Sequence, residues 1–128
     1  MNETEQLKGG RDLLLKLHKS LVDYERATYE TFNGPMTAGA FLNVLLSDED
    51  FEWLRRFSTL IVDIDEMFAQ KDGFDQETVT SHLERLRSLT AMEGEDDYFR
   101  AKYQIVLQND LDAASLHAEL KQLIRPLA

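Results

Sequence analysis

Apolar residues recur at intervals of three and four along most of the chain, which is the spacing that places side chains on one face of an α-helix. Polar residues fill most of the other positions, so each helix is expected to bury one face and expose the opposite one. The strongest stretch of this pattern contains Phe51, Leu54, Phe57, Ile61 and Ile64. The predicted helices cover residues 10–32, 38–46, 48–70, 76–91, 97–108 and 112–125.

Glycine and proline mark the ends of the first predicted helix. Gly34 and Pro35 end it, because glycine suits a left-handed cap and proline cannot continue the hydrogen-bond ladder. Gly9 and Gly10 are poor helix formers, so we expect residues 1–9 to be a frayed extension.

The connections between the predicted helices are short, which favours antiparallel neighbours. We therefore predict an all-α fold in which residues 1–128 form one antiparallel bundle of five or six helices. The helix at 48–70 is expected to lie at its centre. The number of helices is open because residues 102–108 also fit the pattern of a strand.

Composition narrows the possible functions. The chain has 128 residues, of which 43% are hydrophobic and 30% charged, as in ordinary globular domains. A net charge of −10 disfavours binding to nucleic acid and to anionic membranes. The absence of cysteine excludes disulfides, thiol catalysis and cysteine-based zinc sites. With no apolar run long enough for a membrane span and no secretory signal pattern, we expect a soluble cytoplasmic protein.

Several polar residues fall on the predicted apolar faces. His18 and Glu25 lie two turns apart on the first helix, and Tyr29 extends their row by another turn. Asp65 and Ser58 share a face of the helix at 48–70. If the two longest helices pack together, His18, Glu25 and Asp65 converge in the interior, with Tyr29 and Ser58 as hydrogen-bond donors.

This predicted cluster has three interpretations. It is a structural polar network that fixes the helix register, a metal site or acid–base pair, or a set of residues at the edge of the apolar faces. A histidine with two carboxylates suits zinc, manganese or non-haem iron, so His18, Glu25 and Asp65 are the candidate ligands. The chain contains no Glu-x-x-His or His-Glu-x-x-His motif. We therefore predict no catalytic residue and no cofactor, with a divalent transition metal as the alternative.

The helix at 48–70 is apolar over more than half of its circumference. Trp53 flanks the apolar face that contains Leu60 and Met67, so this helix needs cover on two sides. Either the bundle itself supplies that cover, or Trp53, Leu60 and Met67 form a self-association interface.

Part of the chain resembles a known group of proteins. The resemblance covers residues 13–68 or so and rests on Leu17-His18, Tyr24-Glu25-Arg26, Tyr29-Glu30, Gly34-Pro35, Phe51-Glu52-Trp53-Leu54-Arg55 and the run from Leu60 to Glu66. These motifs are similar to those of a group of small uncharacterised bacterial all-helical proteins. The resemblance implies a bacterial, cytoplasmic helical protein and carries over no activity, cofactor or site residue.

The sequence thus favours a non-enzymatic protein–protein association module that self-associates, as a homodimer, through an apolar helix face. The alternative is a metal-binding or metal-dependent helical-bundle protein that uses His18, Glu25 and Asp65. A third class, a binder of a small ligand between helices, requires a cavity with a few converging polar groups.

Overall fold

A computed structural model describes residues 1–94 and 96–127. Within those residues the chain forms six α-helices and one short 3-10 helix, with no strand, which confirms the all-α bundle. The elements are α1 (Glu3–Asn33), α2 (Ala38–Ser47), the 3-10 helix (Glu49–Leu54), α3 (Arg55–Phe68), α4 (Gln76–Thr90), α5 (Asp97–Asn109) and α6 (Leu111–Leu123). Residues 102–108 are helical, so the strand alternative is wrong.

The centre of the bundle is α1, which packs against α3, α4, α5, α6 and the 3-10 helix. The sequence predicts that a single helix over residues 48–70 occupies this position, and that prediction is wrong in two respects. The central helix is α1. The segment 48–70 is also not one helix, because it is divided into the 3-10 helix and α3. The side chain of Asp48 accepts a hydrogen bond from the backbone N–H of Asp50, which starts the tighter 3-10 turn.

The glycine pair lies inside α1, which begins at Glu3 rather than after Gly10. A Cβ added at Gly10 would lie 2.9 Å from Cδ2 of Leu86, and one added at Gly9 would lie 2.9 Å from Cδ2 of Leu123. The glycines therefore let α1 approach α4 and α6 closely. The packing gained there outweighs the low helix propensity of glycine, so the predicted fraying of residues 1–9 is wrong.

The end of α6 is fixed to two other helices through its terminal carbonyl groups. The buried Gln6 on α1 donates from Nε2 to the carbonyl oxygens of Leu123 and Arg125, at 3.1 and 2.7 Å. Arg87 on α4 donates from Nε to the carbonyl oxygen of Ile124 at 2.7 Å. These bonds satisfy acceptors that have no partner within the helix.

An aromatic cluster joins the 3-10 helix, α3 and α5. The ring centroids of Phe57 and Tyr103 lie 5.2 Å apart, and those of Trp53 and Phe99 lie 6.0 Å apart, both in edge-to-face geometry. All four residues are buried. In the described part of the chain, no helix is both long enough and apolar enough to cross a membrane.

Candidate functional site

The two acidic residues of the predicted polar cluster have separate partners. Asp65 is exposed and accepts from Nε and Nη2 of Arg11 at 2.8 and 2.9 Å, a bidentate ion pair between α1 and α3. The side chain of Glu25 is only 4% exposed, and its Oε2 lies 3.1 Å from Nζ of Lys102 on α5. Each carboxylate is thus neutralised by a cation from within the chain.

Among the described residues, His18 forms no hydrogen bond or ion pair with either carboxylate. It is half-buried, and its ring centroid lies 6.4 Å from that of Phe57. Burial lowers the pKa of His18, so the ring is neutral at pH 7. No group of three or more His, Asp or Glu side chains in the described ranges is arranged to hold a metal ion. The predicted metal site of His18, Glu25 and Asp65 is therefore wrong.

The two predicted hydrogen-bond donors of that cluster have other roles. Tyr29 packs against Phe41 and Phe51, with ring centroids 6.0 and 5.9 Å away. Ser58 donates to the carbonyl oxygen of Arg55 at 3.2 Å. Tyr29 thus fixes α2 and the 3-10 helix to the end of α1.

The predicted interface of Trp53, Leu60 and Met67 lies inside the chain. All three residues are buried, because α1, α4 and α5 cover this side of the 3-10 helix and α3. The prediction that these residues form an exposed association face is therefore wrong. The other helices of the bundle therefore cover the broad apolar surface of residues 48–70.

Another helix keeps an uncovered apolar face. Residues 33–47, which include α2, contain no charged side chain. α2 packs against the 3-10 helix and, through Phe41, against the end of α1. About 100° around the helix from Phe41, Leu42 is 51% exposed and Leu46 is 62% exposed, and Ala38 lies one turn before Leu42. We call Ala38, Leu42 and Leu46 the outer face of α2.

A broad cleft opens between the 3-10 helix with α3 on one side and α4 with the start of α5 on the other. We call it the α3–α4 cleft. Its volume is about 790 Å³, within the range of ligand-binding pockets. Trp53, Tyr98 and Phe99 supply its aromatic lining. The hydroxyl of Tyr98 donates to the carbonyl oxygen of Asp50 at 2.9 Å, which ties α5 to the 3-10 helix.

The arginines of the α3–α4 cleft are all engaged within the chain. Arg85 pairs with Asp63 at 2.9 Å, and Arg55 donates to a carbonyl oxygen at the end of α2. Arg56 pairs with Asp96, and its guanidinium carbon lies 4.5 Å from the ring centroid of Phe99. Each arginine that lines the cleft in the described part of the chain therefore has an acceptor within the protein.

Asp96 is held as an anion at the rim of this cleft. Its carboxylate caps α5 by accepting a hydrogen bond from the backbone N–H of Phe99 at 3.1 Å. That bond, and then the charge of Arg56, lowers the pKa of Asp96. In contrast, Glu49, Glu52 and Glu84 also line the cleft but form no ion pair or side-chain hydrogen bond with the described residues. The cleft therefore carries unpaired negative charge.

Two buried polar contacts were not predicted from the sequence. Lys102 lies three residues after Phe99 and four before Val106, on the apolar face of α5, and this spacing was the signal for a buried ion pair. The hydroxyl of Tyr103 lies 2.6 Å from Nδ1 of His117. Burial raises the pKa of Tyr103 and lowers that of His117, so the phenol donates to a neutral imidazole.

Comparisons of the chain with protein-family models, with curated proteins and with solved structures found no match.

Proposed function

We propose that the protein is a non-enzymatic association module that forms a homodimer through the outer face of α2. An apolar helix is normally covered by the rest of its own chain or by a partner. α2 contains no charged residue and only Asn43 and Ser47 as polar side chains, yet Leu42 and Leu46 remain in water. This uncovered leucine pair is the observation that carries the proposal.

The charge distribution favours a second copy of the chain as the partner. Two chains that each carry a charge of −10 repel one another over most of their surfaces. Residues 33–47 carry no charge, so two copies meet there with the least repulsion. In a two-fold contact, Leu42 of one copy packs against Leu46 of the other, and the reverse contact follows by symmetry.

The small residues of α2 permit the close approach that this contact needs. A Cβ added at Gly39 would have no other atom within 4 Å, and Ala38 and Ala40 are exposed. Two antiparallel copies of α2 also bring the positive end of one helix dipole near the negative end of the other. A contact of one helix on one helix lies at the small end of protein interfaces, so we expect a reversible dimer.

Light scattering at increasing protein concentration tests this proposal. The wild-type mass is expected to rise towards twice 14.8 kDa, and Leu46→Glu is expected to remain a monomer, because dimerisation would bury its charge. Leu15→Glu is the matched control, since Leu15 is a 43% exposed leucine on α1 and its substitution should leave the dimer intact. A wild-type protein that is monomeric up to submillimolar concentration would overturn the proposal.

A further inference from the structure

We infer that the α3–α4 cleft binds an arginine- or lysine-rich extended peptide segment of a partner protein. This inference does not rest on the proposed dimer, because the cleft contains no residue of α2. Its volume of about 790 Å³ exceeds what a single side chain fills. It is also partly open to solvent, so a segment of a larger molecule can enter it.

The charge of the cleft selects a cation. Glu49, Glu52 and Glu84 face it without an ion-pair partner among the described residues, whereas Arg55, Arg56 and Arg85 are each held by acceptors of the chain. A basic side chain that enters therefore meets carboxylates ready to accept from it. Charge-assisted hydrogen bonds of this kind are stronger than neutral ones.

The cleft already holds one guanidinium in the way that a ligand arginine would be held. Arg56 lies over the ring of Phe99 and pairs with the carboxylate of Asp96. An aromatic face beside a carboxylate is a favourable environment for arginine. Tyr98 and the carboxylates of Glu49 and Glu52 line the same cleft and supply further groups of both kinds.

Trp53 favours a peptide over a small polyamine. This residue lines the cleft and is only 3% exposed, and its indole N–H has no acceptor among the described residues. A buried N–H without a partner is unfavourable, so an acceptor that reaches it gains free energy. A peptide brings backbone carbonyl groups, whereas an aliphatic polyamine brings none. The inference requires that side-chain shifts of the kind common on binding expose this N–H to the peptide.

The chain provides its own probe for the experiment, because Trp53 is its single tryptophan. A fluorescein-labelled peptide of alternating arginine and alanine is titrated and followed by anisotropy. The unlabelled peptide is titrated in parallel and followed by the fluorescence of Trp53. We expect saturable binding with a change in Trp53 emission, and no binding of the same peptide with glutamine in place of arginine.

Three substitutions locate the binding site. Glu52→Gln and Glu84→Gln remove one unpaired carboxylate each from the cleft and should each weaken binding by about tenfold, the effect of one charge-assisted hydrogen bond. Glu66→Gln removes the same charge from an exposed position outside the cleft and should weaken binding less than about twofold, the effect of screened long-range charge.

Three results would overturn the inference. Equal weakening by all three substitutions would mean that the peptide is attracted by net charge alone. Binding without a change in the emission of Trp53 would place the peptide elsewhere. Spermidine is compared with the unlabelled peptide as a competitor at equal concentrations of positive charge. Equal competition would show a site for small cations instead. Since all three variants exchange exposed residues, circular dichroism is expected to show unchanged helix content.

Discussion

The buried ion pair between Glu25 and Lys102 gives the sharpest prediction about stability. Lys102→Met keeps the length and apolar stem of the side chain but removes its charge. The carboxylate of Glu25, 4% exposed, then has no cation within reach among the described residues. We expect this single substitution to destabilise the fold strongly, because an uncompensated charge stays buried between α1 and α5.

The magnitude follows from the burial of the pair. Removing one partner of a fully buried pair costs about 3–5 kcal/mol. The side chain of Lys102 is 28% exposed, so water reaches the site and the lower end, about 3 kcal/mol, applies.

Urea unfolding followed by circular dichroism measures the effect. Lys102→Met should lower the free energy of unfolding by about 3 kcal/mol, and adding Glu25→Gln should restore much of the loss, since no charge then remains buried. Lys16→Met is the matched control, an exposed lysine on α1, with an expected change under about 0.5 kcal/mol. If Lys102→Met behaves like this control, the reasoning about the pair is refuted.

Two further predictions concern packing and pH. Gly10→Ala should destabilise the fold by about 1–2 kcal/mol in the same urea assay, because the added Cβ would lie 2.9 Å from Cδ2 of Leu86. Gly39→Ala is the control and should be neutral or stabilising, because no other atom lies within 4 Å of the added Cβ. Burial lowers the pKa of His18 and of His117, so the unfolded state binds more protons below the ordinary histidine pKa of about 6.5. The free energy of unfolding should therefore fall between about pH 7.5 and pH 5.5. His18→Gln should reduce that fall, and an equal fall in this variant would count against the argument.

Periodicity alone predicted the fold class but not which polar residues meet. On α1 the apolar spacing places Glu25 on the buried face, and the structure has it there. The spacing also predicts Asp65 on the core face, because it follows Ile61 by one turn. It also lies about 100° around the helix from the fully buried Ile64, which puts it at the edge of the core, where Arg11 reaches it. The partner of each carboxylate depends on long-range packing, which spacing within one helix does not report.

Local propensity failed where tertiary contacts compensate for it. Gly9 and Gly10 reduce the helix propensity of α1, but α4 and α6 pack closely against them. Helix propensity also does not show which apolar helix the rest of the chain covers. The sequence predicts an exposed face at Trp53, because its helix is long and apolar. In the structure Trp53 is buried, and the short α2, with Leu42 on its outer face, is the helix left uncovered.

The contact between two copies of α2 is the central claim, and a spin label on that helix tests it most directly. Because the chain contains no cysteine, Asn43→Cys gives a single labelling site at an exposed position beside the outer face of α2. Packed helices lie about 8–10 Å apart between axes, so we predict strong dipolar coupling between two labels, lost when Leu46→Glu is added. Labels that remain uncoupled at concentrations where the protein is dimeric would contradict the claim.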